Sequence, residues 1–155
     1  AHKDGFVDVK IKDVITRIES AGIGVGANYI FGLPNDTLQS MQNTLDFAID
    51  NSTDMANFYS AMAYPGSPLY LDAKRNGMEL PSTYSGYSQH SYDSLNMSNE
   101  NLTSAQILEF RDMAWDKYHT SPKYVNQLEK KFGLAAKNEL ENTTKVSLKR
   151  KLLGD

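Results

Sequence analysis

The chain has 155 residues, 40% hydrophobic and 23% charged, with a net charge of -3 and a pI near 5.6. That is enough for one domain with a real core and too little for two large ones. The acidic balance excludes the dense basic face that nucleic-acid binding needs, no window approaches the ~20 apolar residues of a membrane span, and the complete lack of cysteine removes thiolate nucleophiles, disulfides and metal–thiolate sites from this chain.

The first residues are polar and show no signal peptide, so the default expectation is a cytoplasmic protein, and the glycosylation-type triplets at Asn51, Asn96, Asn101 and Asn142 read as chance matches. The chain starts at Ala1 rather than Met, and AHKDGF has no cap or turn logic, which reads as a piece of something longer.

From Asp8 to Ala21, Ile11, Val14, Ile15 and Ile18 recur at three and four residues, the stripe of an amphipathic helix, and Gly22 closes it. The apolar run Ile23 to Phe31 is expected as a strand. A second helix starts at Asp36 or Thr37, with Asp36 and Gln39 spaced as a capping box and Leu38, Met41, Leu45, Ala48 and Ile49 as its buried stripe. Met55 to Ala63 is the second strand, so strand, crossover helix and strand form a βαβ unit with parallel strands. A short helix, Leu69 to Asn76, stops at Gly77. Met78 to Asn101 is polar and dotted with tyrosine, and reads as an ordered loop that closes over something. Thr103 and Gln106 make a capping box for a helix Leu102 to His119; Ser121-Pro122 opens another, which ends at Gly133. The tail Leu134 to Leu153 is expected to be helical, its basic Lys149, Arg150 and Lys151 complementing the helix dipole.

Gly22, Gly24 and Gly26 imitate a dinucleotide fingerprint in the wrong order, because they follow a helix and enter a strand; close packing against a neighbour or a ligand explains them better. The junction Gly32-Leu33-Pro34-Asn35-Asp36-Thr37 is the more specific signal. A strand there delivers a helix N-terminus, where backbone N–H groups converge on ligands in α/β proteins, and Gly32 leaves the backbone bare. The alternative is a plain turn with an Asx cap. His2, His90 and His119 have no metal-ligand spacing.

GIGVGANYIFGLPNDT, SMQNTLDFAID and ANFYSAMAYPGSPLY, followed by NGMELP, GYSQHSYDSL, the FRD of Phe110 to Asp112, the KFG of Lys131 to Gly133 and the closing LKRKLLG, resemble the radical S-adenosylmethionine superfamily. The likeness is to its cobalamin-binding branch, which includes anaerobic magnesium-protoporphyrin IX monomethyl ester cyclase-like proteins. It implies an α/β fold: the last two parallel strands of a partial (β/α)6 barrel with their helices in residues 1–77, then a loop and helical C-terminal extension in 78–155. It also implies that Asn28, Ile30, Gly32, Tyr59, Ala61 and Ala63 line the adenosine side of an S-adenosylmethionine site, and that Tyr84, Tyr87, Gln89 and His90 meet substrate. The family's CxxxCxxC loop, which holds a 4Fe-4S cluster, has no counterpart here. The resemblance therefore implies the C-terminal portion of such an enzyme, inactive alone, with the cluster and any cobalamin belonging to the parent protein. Expected partners are the missing N-terminal barrel half, a separately encoded chain, or a second copy covering the bare edge of the Ile23 strand. The rival readings are a non-catalytic α/β partner-binding module that descends from such an enzyme, and an unrelated small α/β ligand-binding domain.

Overall fold

The computed structural model describes residues 8–155; the opening AHKDGF segment and His2 lie outside the described residues. The fold is α/β. Helix α1 (Ile11–Ser20), strand β1 (Gly26–Phe31), helix α2 (Leu38–Asp50) and strand β2 (Met55–Ser60) come first, then helices α3 (Pro68–Arg75), α4 (Ser104–His119), α5 (Pro122–Phe132) and α6 (Leu134–Thr143). The two strands pair in parallel, with Gly26 opposite Met55, Ile30 opposite Tyr59 and Phe31 opposite Ser60.

One face of this sheet is buried. Tyr29, Phe31, Ala56 and Phe58 point into a core with Met41, Leu45 and Ala48 from α2 and Ile107, Phe110, Ala114 and Tyr118 from α4. Aromatic rings bind the layers: Phe58 stacks on Tyr29 at 5.3 Å and meets Tyr118 edge-on at 5.4 Å, while Phe110 meets Phe31 edge-on at 5.1 Å. Burial pushes the Tyr29 phenol up to about 12, with Tyr118 adding to the shift, so this face carries no charge at neutral pH.

Both strands are shorter than their apolar runs, because side chains take their backbone groups. Val25 N–H donates to the Asp54 carboxylate at 3.2 Å, and β1 starts only after it. At the end of β2 the Gln89 side-chain amide imitates a neighbouring strand, accepting from Ser60 N–H and donating to Ser60 C=O, both at 3.0 Å. Among the described residues no backbone hydrogen bond reaches the other edge of β1. The stripe of α1 is likewise uncovered: the helix buries no residue, and Ile11 is 55% exposed.

Caps follow hydrogen-bond competition. The expected box of Asp36 and Gln39 is replaced by Thr37 and Ser40, because Leu33 N–H and the Ser40 hydroxyl occupy the Asp36 carboxylate and Gln39 donates to Asn43. Leu38, expected in the buried stripe, is 52% exposed. Thr103 and Gln106 form the expected box at α4, and Pro122 opens α5. Gly22 and Gly77 end their helices with φ of 76° and 64°.

The C-terminal tail departs most from expectation. Helix stops at Thr143, and only a single 3-10 turn, Lys151–Leu153, follows. Arg150 is not a solvated partner of a helix dipole: it is 1% exposed. Its guanidinium clasps Asp112 through Nε at 2.8 Å and Nη2 at 2.9 Å and donates to the carbonyls of Ser91 and Gln89. Arg111, 4% exposed, bonds the other side of Asp112 and the Phe58 carbonyl. FRD and LKRKLLG are thus two halves of one charge cluster. A second ion pair, Lys131 Nζ to Asp54 at 2.6 Å, fastens the KFG segment beneath the strands.

Two outcomes follow for stability. Arg150→Ala strands a largely buried carboxylate and is expected to cost roughly 3 kcal/mol in urea unfolding, whereas Lys149→Ala, at an exposed position, stays within about 0.5 kcal/mol. His119 is buried among Phe58, Trp115, Tyr118 and Tyr124, with Nδ1 2.8 Å from the Trp115 carbonyl; burial lowers its pKa, opposed by that carbonyl and assisted by Arg111. The unfolded chain therefore takes up the proton first. Its contribution is intact above the unfolded value of about 6.5 and is lost as pH falls towards the lower folded value. His119→Asn should flatten the fall in Tm from about pH 7 to pH 5 relative to the parent chain.

Candidate functional site

Opposed residues of a parallel pair share a face, so the register sorts the strand candidates. Since α2 and α4 cover the Phe31 and Phe58 side, Asn28, Ile30 and Tyr59 stand together on the open side, as expected from alternation. Ile30 is 48% exposed and Tyr59 half-buried beside it. Asn57 joins them, donating from Nδ2 to Asn28 Oδ1 at 3.1 Å. The sequence reading missed Asn57, although it sits two residues before Tyr59 and so shares its face.

This open face runs up to a cleft of about 450 Å³ at the C-terminal ends of the strands, between Gly32, Ala61, Leu69, Asp72, Met97 and Glu100. Sheet ends of this kind are where open α/β folds bind ligands. Asn99 builds the cleft wall: its Nδ2 donates to the carbonyls of Leu33 and Asp36, while its Oδ1 accepts from Asn101 and Leu102 at the start of α4. One side chain thereby locks the turn after β1 to the helix after the long loop.

Gly32 has a different first role from the one its sequence context implied. A Cβ there would lie 2.6 Å from Ile107 Cγ2, and φ is +79°, so the missing side chain admits α4 as well as leaving the cleft open. The helix N-terminus beyond it is not a ring of free donors. Leu33 N–H is held by Asp36, Thr37 N–H by Ser40 Oγ and Ser40 N–H by Thr37 Oγ1. Ala63 is 3% exposed.

The loop candidates are dispersed. Tyr84 is 91% exposed, and Tyr87 packs beside Tyr64 with ring centroids 6.1 Å apart. Gln89, 7% exposed, spends its amide on Ser60. His90 lines another cleft, beside Asp112 and Trp115, where burial and the nearby Arg111 and Arg150 lower its pKa against the pull of Asp112. Among the described residues no group of three His, Cys, Asp or Glu side chains is placed to hold a metal ion.

Gly32→Ala is expected to cost about 2 kcal/mol or more, from positive φ together with the collision. Pairing it with Ile107→Val should recover part of that loss, so the double variant is more stable than the sum of the singles; strictly additive losses would contradict the packing role.

No protein-family model matches the chain, and no solved structure matches it. Over 113 residues it is 26% identical to an uncharacterized methyltransferase of Pyrococcus horikoshii. The match takes in 73% of this chain and 24% of that protein, so the chain spans about a quarter of the relative's length.

Proposed function

We propose that this chain supplies one wall of an S-adenosylmethionine site in a larger (β/α) barrel of the radical S-adenosylmethionine type. The observation that carries the reading is the one-sided sheet: its helices lie on one face, and on the other Asn28, Ile30, Asn57 and Tyr59 lead to a cleft at the strand ends. A barrel has that arrangement, helices outside and the ligand at the C-terminal mouth. Residues 1–77 would form the wall, and 78–155 the loop and helical extension that close it.

The residues present suit an adenosyl group. Ile30 and Tyr59 offer a flat apolar surface for a purine, the paired amides of Asn28 and Asn57 offer donors and acceptors to its edge, and the rim carboxylates Asp72 and Glu100 offer acceptors to ribose hydroxyls. A thiolate-held iron–sulfur cluster does not fit, because the chain has no cysteine. That group, and any cobalamin, would belong to the remainder of the polypeptide or to a separately encoded chain. The uncovered β1 edge and α1 stripe are where such a partner, or a second copy, would dock.

The methyltransferase relative supports the coarser part of the reading, since S-adenosylmethionine is a general methyl donor. It is silent on radical chemistry.

The test is calorimetric binding of S-adenosylmethionine by the longer polypeptide that carries this chain. Ile30→Glu on the open face should weaken binding about tenfold or more, while Phe47→Glu on the exposed side of α2 leaves it unchanged. Reductive formation of 5′-deoxyadenosine would support the radical reading, and methyl transfer without that product would leave only the coarser one. Binding unaffected by Ile30→Glu would overturn the wall assignment.

A further inference from the structure

A second cleft, of about 510 Å³, lies away from the strand ends, between α4 and the C-terminal segment. Its apolar lining comes from Met113, Trp115, Val146, Leu148 and Leu153. Val146 is 68% exposed and Leu148 42%, a heavy apolar exposure for so short a stretch of chain. The volume falls in the range of small-molecule sites.

Its charges are unevenly matched. Glu109, Asp112 and Asp116 follow one face of α4, at spacings of three and four that place like charges side by side. Asp112 is neutralised by Arg150 and Arg111, and those guanidinium groups are fully engaged with it and with the carbonyls of Phe58, Ser91 and Gln89. The carboxylates of Glu109 and Asp116 have no hydrogen bond or ion pair among the described residues. Burial and the neighbouring Asp112 raise the Asp116 pKa, the response of an acid that lacks a cation. His90, the remaining titratable group, has a lowered pKa, and no lysine lines the cleft. The opposite wall, Thr143, Val146, Ser147, Leu148 and Leu153, is uncharged. Two cations against three carboxylates leave the cleft one negative charge, with both unpaired acids on the same wall.

We propose that this cleft binds a small organic cation, an ammonium group on an apolar aryl or alkyl body. The ammonium sits between Glu109 and Asp116, and the body lies against Trp115, Met113 and the Val146–Leu148 strip. Aromatic and charge complementarity reinforce each other here, since an indole face also attracts cations. The inference is independent of the S-adenosylmethionine reading, because the cleft shares no lining residue with the one at the strand ends.

Trp115 is the single tryptophan of the chain, so its emission reports occupancy directly. The probe is 2-phenylethylamine, with 2-phenylethanol as its neutral counterpart and 3-phenylpropanoate as its anionic one. A saturable change in Trp115 emission is expected for the amine, weaker for the alcohol and weakest for the acid. Glu109→Gln/Asp116→Asn should reduce the amine's affinity about tenfold, leave the alcohol's unchanged, and leave the far-ultraviolet spectrum and Tm close to those of the parent. Should that double variant fail to fold, Asp116→Asn alone, at an exposed position, gives the same comparison. Equal affinities for amine and alcohol, no saturable change with the amine, or an unaltered amine affinity in a folded variant would each overturn the proposal.

Discussion

A sheet of two strands must bury a face and satisfy two edges, and the rest of the molecule follows from how little help the strands can give each other. An isolated pair is unstable in water. Here α2 and α4 close one face with Met41, Leu45, Ile107, Phe110 and Tyr118, so the aromatic ladder of Tyr29, Phe31 and Phe58 is desolvated on that side alone. The outer edge of β2 is closed near its end by the Gln89 amide and by Met97 N–H, which donates to the Ala61 carbonyl. The other face and the edge of β1 are left open.

The long loop after α3 is therefore a structural part of the sheet as well as a cover for its mouth. Gln89 splices it to β2, Asn99 splices it to the turn after β1, and Arg150 reaches from the tail to hold the Ser91 and Gln89 carbonyls while neutralising Asp112. These links converge on the cleft between Gly32 and Ala61. Preorganising a binding loop in this way lowers the entropy a ligand must overcome when it enters.

Elements with a local cause were legible in the sequence. The capping box of Thr103 and Gln106, the Pro122 start and the Gly22 and Gly77 stops depend on neighbours within a few residues, and the parallel pair follows from strand, helix and strand in succession. Strand alternation also placed Asn28, Ile30 and Tyr59 on one face. What could not be read depended on distant partners. Arg150 looks like a surface residue in Leu148-Lys149-Arg150-Lys151 until Asp112 is brought beside it across 38 positions. Gln89 looks like a polar loop residue until Ser60 arrives, and the tightness at Gly32 is set by Ile107. Asp36 misled for the opposite reason: its carboxylate had two nearer suitors than the helix it was expected to cap.

The central claim is that the open sheet face is a ligand wall rather than a surface left bare. The most direct measurement is backbone NMR of the 155-residue chain titrated with S-adenosylmethionine to millimolar concentration, where even a weak contact with one wall is mapped residue by residue. The account predicts shifts concentrated at Asn28, Ile30, Gly32, Asn57 and Tyr59. Shifts confined to the outer faces of α2 and α5, or none at all, would contradict it.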